Sequence, residues 1–313
     1  METHDAERLP TIIQGGMGVG VSSWRLAGAV AREGLLGVVS GTALDVVLAR
    51  RLQLGDPDGS ARRALADFPW PDMAARVLER WFVPGGKPPD APFTPTPPPD
   101  LRMSRAGIEL LVVANFVEVF LAREGHDGPI GINYLEKIQI PTLPSLFGAM
   151  TAGVAVVLMG AGIPVAIPGA LDRLAAWDAA ELTIPVTGGP PTNESPALRF
   201  APRELIPTDH VALRRPRFVA IVSSETVARA LLRRASGRVD GFVVEGHRAG
   251  GHNAPPRGSA APDAAPGSAP GFGPRDSADL GVFRALGRPF WLAGACASPQ
   301  GLRDAQAAGA RGI

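Results

Sequence analysis

The chain has 313 residues, which allow one large domain or two modest ones. Hydrophobic residues make up 45% and charged residues 19% of the sequence, which excludes a chain that is disordered throughout. The net charge of +1 excludes a strongly basic nucleic-acid-binding protein. A single cysteine, Cys296, excludes an internal disulfide and a four-cysteine zinc site, and we predict no metal site.

Two segments bear on location. Residues 1–16 are charged and have no apolar core, so we predict no signal peptide. The longest apolar stretch, 153–170, contains glycines and two prolines and does not predict a transmembrane helix. We therefore expect a cytoplasmic protein without membrane partners, whose substrate is a small molecule.

Short apolar segments recur along the chain and predict the strands of a parallel sheet, because each is apolar on both faces. There are seven: 11–14, 37–40, 130–134, 154–159, 218–222, 241–245 and 290–293. The amphipathic segments between them predict helices. Three of these helices, at 24–33, 225–235 and 300–308, follow serines and precede glycines. The alternation predicts an α/β fold with a site at the carboxyl ends of the strands.

Two stretches interrupt this alternation. Residues 44–82 predict helices and 87–100 contain seven prolines, so 44–105 form an insertion after the second strand. Residues 253–275 contain six prolines and predict a long loop, either a lid or a disordered segment. Residues 309–313 are typical of the start of an eighth strand. We therefore predict a single (β/α)8 barrel domain over 1–313, truncated as its eighth strand begins.

Small residues follow the first and third predicted strands. Glycines in the run Gly15, Gly16, Met17 let the backbone approach a flat or phosphorylated ligand, or they form a tight turn. Their spacing does not match a dinucleotide-binding fingerprint. Asn133 ends the third strand, where its amide either binds a ring atom of a ligand or caps the next turn.

Two further loops contain candidates. Gly250, Gly251 and His252 follow the sixth strand, where a histidine suits a general base, although an exposed loop histidine is the alternative. Gly294 and Cys296 follow the seventh strand, where small residues and a helix N-terminus suit a phosphate. No base neighbours Cys296 in the sequence, so we interpret it as a loop residue rather than a nucleophile.

Together these motifs resemble the nitronate monooxygenase family, the 2-nitropropane dioxygenase-like flavoproteins. The matching pieces cover most of the chain, and AGGH is the most specific part of them. They read IIQGGMGVGVS, GINYLEKIQIP, VVEGHRAGGHNAPPRG and PFWLAGACASPQGLRDAQAAGARGI. The insertion, the proline-rich tract and the 253–275 loop look like features of a subgroup.

The resemblance implies an FMN-dependent TIM barrel that oxidises alkyl nitronates or nitroalkanes with O₂. His252 corresponds to the base that takes the α-proton of the substrate. Gly15, Gly16 and Met17 would pack against the flavin ring, and Asn133 would contact it.

The resemblance also assigns residues on the other loops. Gly250 and Gly251 would approach the FMN, and Gly294 would begin its phosphate site. Ala295 stands where relatives often have a second glycine, and Ser223 stands where many have a lysine that contacts the flavin. The second phosphate-binding element would follow the last residue of this sequence. We therefore expect residues 1–313 to bind FMN weakly or not at all.

Three alternatives stay open. Enoyl-thioester reductases of fatty-acid and polyketide synthesis share the flavin barrel and a similar G-G-H loop. An IMP-dehydrogenase-like barrel would use Cys296 as its nucleophile. A non-catalytic truncated barrel would expose strand edges that invite pairing or aggregation. The oligomeric state is open, with a homodimer as one option.

Overall fold

A computed structural model of the chain describes residues 9–184, 196–208, 211–250, 256, 271–273 and 276–313. Eight strands and eleven helices are assigned within these ranges. The strands are β1 (Gly37–Ser40), β2 (Ile130–Leu135), β3 (Val156–Gly160), β4 (Ala180–Thr183), β5 (Ala197–Phe200), β6 (Arg217–Val222), β7 (Gly241–Glu245) and β8 (Phe290–Ala293). The helices are α1 (Trp24–Arg32), α2 (Leu44–Gln53), α3 (Ser60–Ala66), α4 (Pro71–Trp81), α5 (Arg105–Arg123), α6 (Thr142–Thr151), α7 (Ile167–Ala175), α8 (Pro202–Leu205), α9 (Glu225–Arg234), α10 (Leu280–Ala285) and α11 (Pro299–Ala307).

Six strands form one parallel sheet in the order β1-β2-β3-β6-β7-β8. The two ends of the chain close this sheet into a ring. Ile13 bridges Leu36 beside β1, and Gly312 bridges Trp291 of β8. The Ile13 amide donates to the Ile313 carbonyl at 2.8 Å, which joins the two bridges. The predicted (β/α)8 barrel, which ends as its eighth strand begins, is confirmed.

This closure corrects one expectation. A barrel with two open edges was the structural basis of the non-catalytic alternative. Segments 11–14 and 311–313 instead lie between β1 and β8 and hydrogen-bond to both. Only short stretches of backbone pair there, so the first predicted strand, 11–14, is reduced to a single bridge at Ile13.

The predicted helices that follow strands are confirmed to within two residues. The Ser224 hydroxyl accepts the Val227 amide at 3.3 Å and caps α9, and Ser298 caps α11 in the same way. The serine pair before α1 does not cap its helix. The Trp24 amide donates instead to Oε1 of the buried Glu118 at 2.7 Å, which ties α1 to α5.

A second difference concerns β4 and β5, which follow β3 and precede β6 in the chain. They pair antiparallel with each other and form a separate sheet outside the barrel. The sequence pattern predicts no strand there. Each of these strands has four residues and buries alternate side chains only, in contrast to the barrel strands. Four residues that alternate in this way give a weak sequence signal.

Alternate residues of the barrel strands fill the interior. Because successive side chains point to opposite faces, one set meets inside the ring and the other meets the helices. The interior set comprises Leu36, Val38, Val156, Leu158, Val219, Val243 and Trp291. It forms a cluster separate from the larger core between sheet and helices. The barrel is therefore a packed core with no pore through it.

The predicted insertion after β1 is confirmed as helical. Helices α2, α3 and α4 fill 44–81, and the proline-rich tract that follows forms neither helix nor strand up to α5. Thirteen of the nineteen residues of α5 are buried. Helix α5 packs on β1 and β2, and α2, α3 and α4 pack on α5. The predicted loop 253–275 lies outside the described residues except for 256 and 271–273.

Candidate functional site at the carboxyl ends of the strands

The carboxyl ends of the barrel strands and the loops that follow them form one face, which we call the barrel mouth. In (β/α)8 barrels this face carries the active site, because the loops there vary without disturbing the closed sheet. An eight-stranded interior is just wide enough for side chains, so groups on different strands converge at the mouth. Ser40, Glu245 and Ala293 end β1, β7 and β8, and Asn133 lies two residues before the end of β2.

The first loop of the mouth packs tightly against β1 and β2. Gly16 is buried, and a Cβ added to it would lie 2.3 Å from Val38 Cγ1 and 3.2 Å from Asn133 Cβ. Only glycine fits at this position. Gly15 beside it is exposed, and a Cβ there would meet no atom within 4 Å. Gly15 thus exposes bare backbone at the mouth, and Gly16 packs the loop against β1 and β2.

Asn133 is a buried polar side chain of the mouth, at 3% exposure, and its register partner Ser40 is 2% exposed. Nδ2 of Asn133 donates to Met17 Sδ, and Ser40 Oγ donates to the Met17 carbonyl at 3.3 Å. The structure therefore brings together Gly16, Met17 and Asn133, which the sequence predicted as ligand contacts. Oδ1 of Asn133 is buried and accepts no hydrogen bond from any described residue. A buried acceptor of this kind calls for a donor from a ligand or from solvent.

The opposite side of the mouth consists of the loops after β7 and β8, which touch each other. The Gly246 amide donates to the Ala293 carbonyl at 2.9 Å. Gly294 has φ +123°, and a Cβ on it would lie 3.1 Å from the Ala249 amide nitrogen. Gly250 is exposed, with open space where a Cβ would be. The two predicted glycine sites therefore belong to one surface.

The residues after Gly294 lead into α11. Ala295 has φ +56°, in the left-handed region that favours glycine, although it bears a side chain. Cys296 Sγ donates to the Gly294 carbonyl at 3.3 Å. Among the described residues no acid or base hydrogen-bonds to this thiol. This arrangement fits the interpretation of Cys296 as a loop residue.

Glu245 received no role from the sequence, although it is part of the V-x-E-G segment of the matching motif. It follows the interior residue Val243 by two positions, so its side chain lies on the interior face at the end of β7. Burial raises the pKa of its carboxyl above the usual value. No described residue hydrogen-bonds or ion-pairs with it. The motif alone marked this position, because a lone glutamate at a strand end carries no periodic signal.

Of the remaining predicted site residues, one lies within the described residues and two lie outside them. Ser223 lies directly after β6, half-buried at the mouth. Gly251 and His252 lie outside the described residues. Within the described ranges no three His, Cys, Asp or Glu side chains are grouped to hold a metal ion. None of the helices in those ranges is both long enough and apolar enough to span a bilayer.

The fold and mouth define a (β/α)8 barrel with bare glycine backbone at its carboxyl face and an amide oxygen there that has no partner among the described residues. No family model matches the sequence, and no curated protein matches it. Among solved structures, FabK from Thermotoga maritima is similar over 97% of this chain and 56% of its own, with 17% identity and a TM-score of 0.47. A point mutant of that FabK is similar over 97% of this chain and 59% of its own, with 16% identity and a TM-score of 0.47. The chain thus spans under two thirds of the length of these structures.

Proposed function

We propose that the barrel mouth binds FMN and that the protein is an FMN-dependent oxidoreductase. The observation that carries this proposal is the unpartnered Oδ1 of Asn133, buried beside the glycine wall of the first loop. A flat heterocycle with a ring N–H fits such a site, because the N–H satisfies the acceptor and the bare backbone admits the ring. The resemblance to flavoproteins rests on these same residues.

Each part of the cofactor has candidate contacts. Asn133 Oδ1 would accept from the ring, and the backbone of Gly15 and Gly16 would line it. The Gly294 loop and the N-terminus of α11 would face the phosphate, since a helix N-terminus favours an anion. When bound, FMN supplies the electron-transfer chemistry, while the protein supplies position and proton transfer.

The first candidate reaction is the oxidation of alkyl nitronates or nitroalkanes with O₂, which the AGGH segment favours. In this reaction His252 takes the α-proton of a nitroalkane onto its ring nitrogen. A histidine suits this step because its ordinary pKa lies near neutral pH. Glu245, at the end of β7, would add a carboxyl able to hold a proton, because burial raises its pKa.

The second candidate reaction is the reduction of an enoyl thioester with NAD(P)H. One observation favours it. Large apolar side chains are exposed in the loops around the mouth: Val19 and Val21 after residues 11–14, Ile138 after β2, Ile163 after β3, and Phe272 after β7. An exposed apolar rim of this kind fits a substrate with more apolar surface than a small nitroalkane.

The test begins with a titration of the purified chain with FMN, followed by the visible spectrum under anaerobic conditions. We expect flavin bands that shift on binding and then bleach with a nitronate if the first reaction holds. Bleaching only with NAD(P)H would favour the reductase.

The matched variant is Asn133→Ala, which removes the unpartnered acceptor. It should weaken FMN binding about ten-fold, the effect of losing one hydrogen bond of roughly 1.4 kcal/mol. Equal FMN affinity of the wild type and this variant would contradict the proposed site. Because binding is measured, the comparison holds even where the affinity is low.

A further inference from the structure

A cavity of about 300 Å³ lies beside the mouth, outside the barrel wall. Its walls come from four parts of the chain: the segment from the end of β1 into α2, the segment from the end of β2 into α6, the proline-rich tract, and Leu111 of α5. The surface exposed to the cavity is mainly apolar. We call it the insertion pocket, because α2 and the proline-rich tract belong to the insertion.

The floor of the insertion pocket is the ring of Tyr134. The one hydroxyl proton of Tyr134 is shared between two acceptors, Asn115 Oδ1 at 2.8 Å and the Ser145 carbonyl at 3.1 Å, so it is already used within the protein. A Cβ on Gly41 would lie 2.3 Å from this ring, so glycine is required for the ring to lie where it does. The ring therefore offers an apolar face to the pocket.

One carboxyl lines the insertion pocket. Asp45, in the first turn of α2, is 7% exposed, and burial raises the pKa of its carboxyl above the usual value. No described residue forms an ion pair with it. A carboxyl in this position disfavours an anionic headgroup in the pocket, both by like charge and by the cost of burying a second charge. Uncharged apolar groups meet no such penalty.

The insertion pocket adjoins the mouth beside two strands. Gly41 directly follows Ser40, and Tyr134 directly follows Asn133; Ser40 and Asn133 are register partners on β1 and β2. A ligand that reacts at the mouth would therefore reach the pocket by passing over the rim of the barrel. The volume is about twice that of the roughly 150 Å³ apolar cavity known to take up benzene.

We propose that the insertion pocket binds the uncharged alkyl or acyl tail of the substrate, whose reacting end lies at the mouth. This inference rests on the proposed function for its link to catalysis. It names the substrate class as a molecule with a linear apolar chain, and it gives the insertion a role in chain-length selection.

The first test measures binding without any flavin. A series of linear alcohols from 1-butanol to 1-octanol is titrated into the purified chain by isothermal titration calorimetry. We expect one saturable site whose affinity rises roughly four-fold per added methylene until the pocket is filled. Thr96→Phe in the roof and Val46→Phe on α2 should each abolish this dependence on length. The control Leu54→Phe places the same ring on an exposed position outside the pocket and should change nothing.

Equal binding of 1-octanol by the wild type and by both pocket variants would overturn the proposal. Thr96 lies in irregular backbone and is not part of the core, so its variant tests the pocket even where Val46→Phe impairs folding. Because no flavin is present, failure of this test is separate from failure of the proposed FMN site.

The second test uses turnover with the FMN-loaded protein. For a nitronate series of increasing chain length, kcat/KM should rise with length in the wild type and stay flat in Thr96→Phe, with the flavin spectrum unchanged. A length dependence that survives in Thr96→Phe would place the tail elsewhere and contradict the proposal. Normal flavin reduction with a flat wild-type series would also contradict it, while leaving the FMN site intact.

Discussion

The two sides of the barrel mouth are built differently. On the β1–β2 side the covering helix α5 buries thirteen of its nineteen residues. On the β7–β8 side α10 buries one residue of six and α11 one of nine. The first side also contains the buried Asn133, whereas glycines with exposed backbone line the second.

The difference separates two tasks. A buried wall holds its groups in fixed positions at low cost, because packing restricts their rotamers before any ligand arrives. Loops with exposed backbone leave room for a substrate to enter and for a base to approach it. We therefore expect the β1–β2 side to hold the cofactor ring and the β7–β8 side to supply the proton transfer.

The largest effect that sharpens this comparison is expected at His252. His252→Ala should lower turnover about 10²–10⁴-fold, the usual contribution of a general base, and should leave FMN affinity unchanged. The measurement is kcat with a nitroalkane substrate beside an FMN titration. The control is His247→Ala, an exposed histidine five residues earlier on the same loop, which should retain activity. Equal losses in both variants would count against a specific base.

The next effect tests the rigidity of the β1–β2 side through the ion pairs that a buried carboxylate forms with two exposed arginines. Glu109 of α5 accepts two hydrogen bonds from Arg76, at 2.8 and 3.0 Å, and one from Arg105 at 3.0 Å. Burial by itself raises the pKa of Glu109, but these hydrogen bonds outweigh it and hold the pKa below the usual value. Glu109→Gln should lower the free energy of unfolding at pH 7 by roughly 1.5–3 kcal/mol. The readout is urea unfolding. An unchanged free energy of unfolding at pH 7 would show that the ion pairs of Glu109 stabilise the β1–β2 side little.

The sign of the pH dependence follows from the lowered pKa. The stabilisation is present above the unfolded value of 4.5 and is lost as the pH falls through the lower folded value. The gap between wild type and Glu109→Gln should therefore close on acidification below that range. Glu124→Gln is the control, since its pair with Arg63 is largely exposed and should contribute under about 1 kcal/mol. A gap that persists at acid pH would mean that packing, not charge, accounts for the loss.

Much of the barrel was predictable because its strands are buried on both faces and read as continuous apolar runs. Helix α5 was not predicted as an element, since it is apolar on nearly all sides and lacks the periodicity of a surface helix. Ring closure through Ile13 and Gly312 was also missed. Closure depends on pairing between the two ends of the chain, which local pattern does not report.

The candidate site was also predictable from the sequence only in part. Gly16 and Asn133 were predicted from position, because small and polar residues at strand ends mark the mouth of a parallel barrel. The isolation of Asn133 Oδ1, the inward side chain of Glu245 and the insertion pocket depend on contacts among distant segments. The conformation of Ala295 could be inferred only from comparison with a glycine in relatives.

A smaller effect compares two buried asparagines on the β1–β2 side. Asn115 donates to the Leu111 carbonyl and accepts the Tyr134 hydroxyl, whereas Asn133 Oδ1 accepts nothing from a described residue. Asn115→Ala should cost about 1–3 kcal/mol of stability by leaving buried groups unpaired. Asn133→Ala should cost the ligand-free chain less, under about 1 kcal/mol, because Oδ1 loses no partner. Urea unfolding of both variants checks this, and a reversed order would refute the idea that Asn133 is held for a ligand.

The smallest effect lies on the β7–β8 side, at Ala295. Its φ of +56° strains a residue with a Cβ, and glycine at this position relieves that strain. Ala295→Gly should therefore raise the free energy of unfolding by up to about 1 kcal/mol, partly offset by the greater freedom of glycine in the unfolded chain. Ala297→Gly, two residues on and without positive φ, is the control and should be neutral or destabilising. If Ala295→Gly also tightens FMN binding, the strained alanine limits the phosphate contact; if stability rises alone, the strain belongs to the loop and the phosphate contact lies elsewhere.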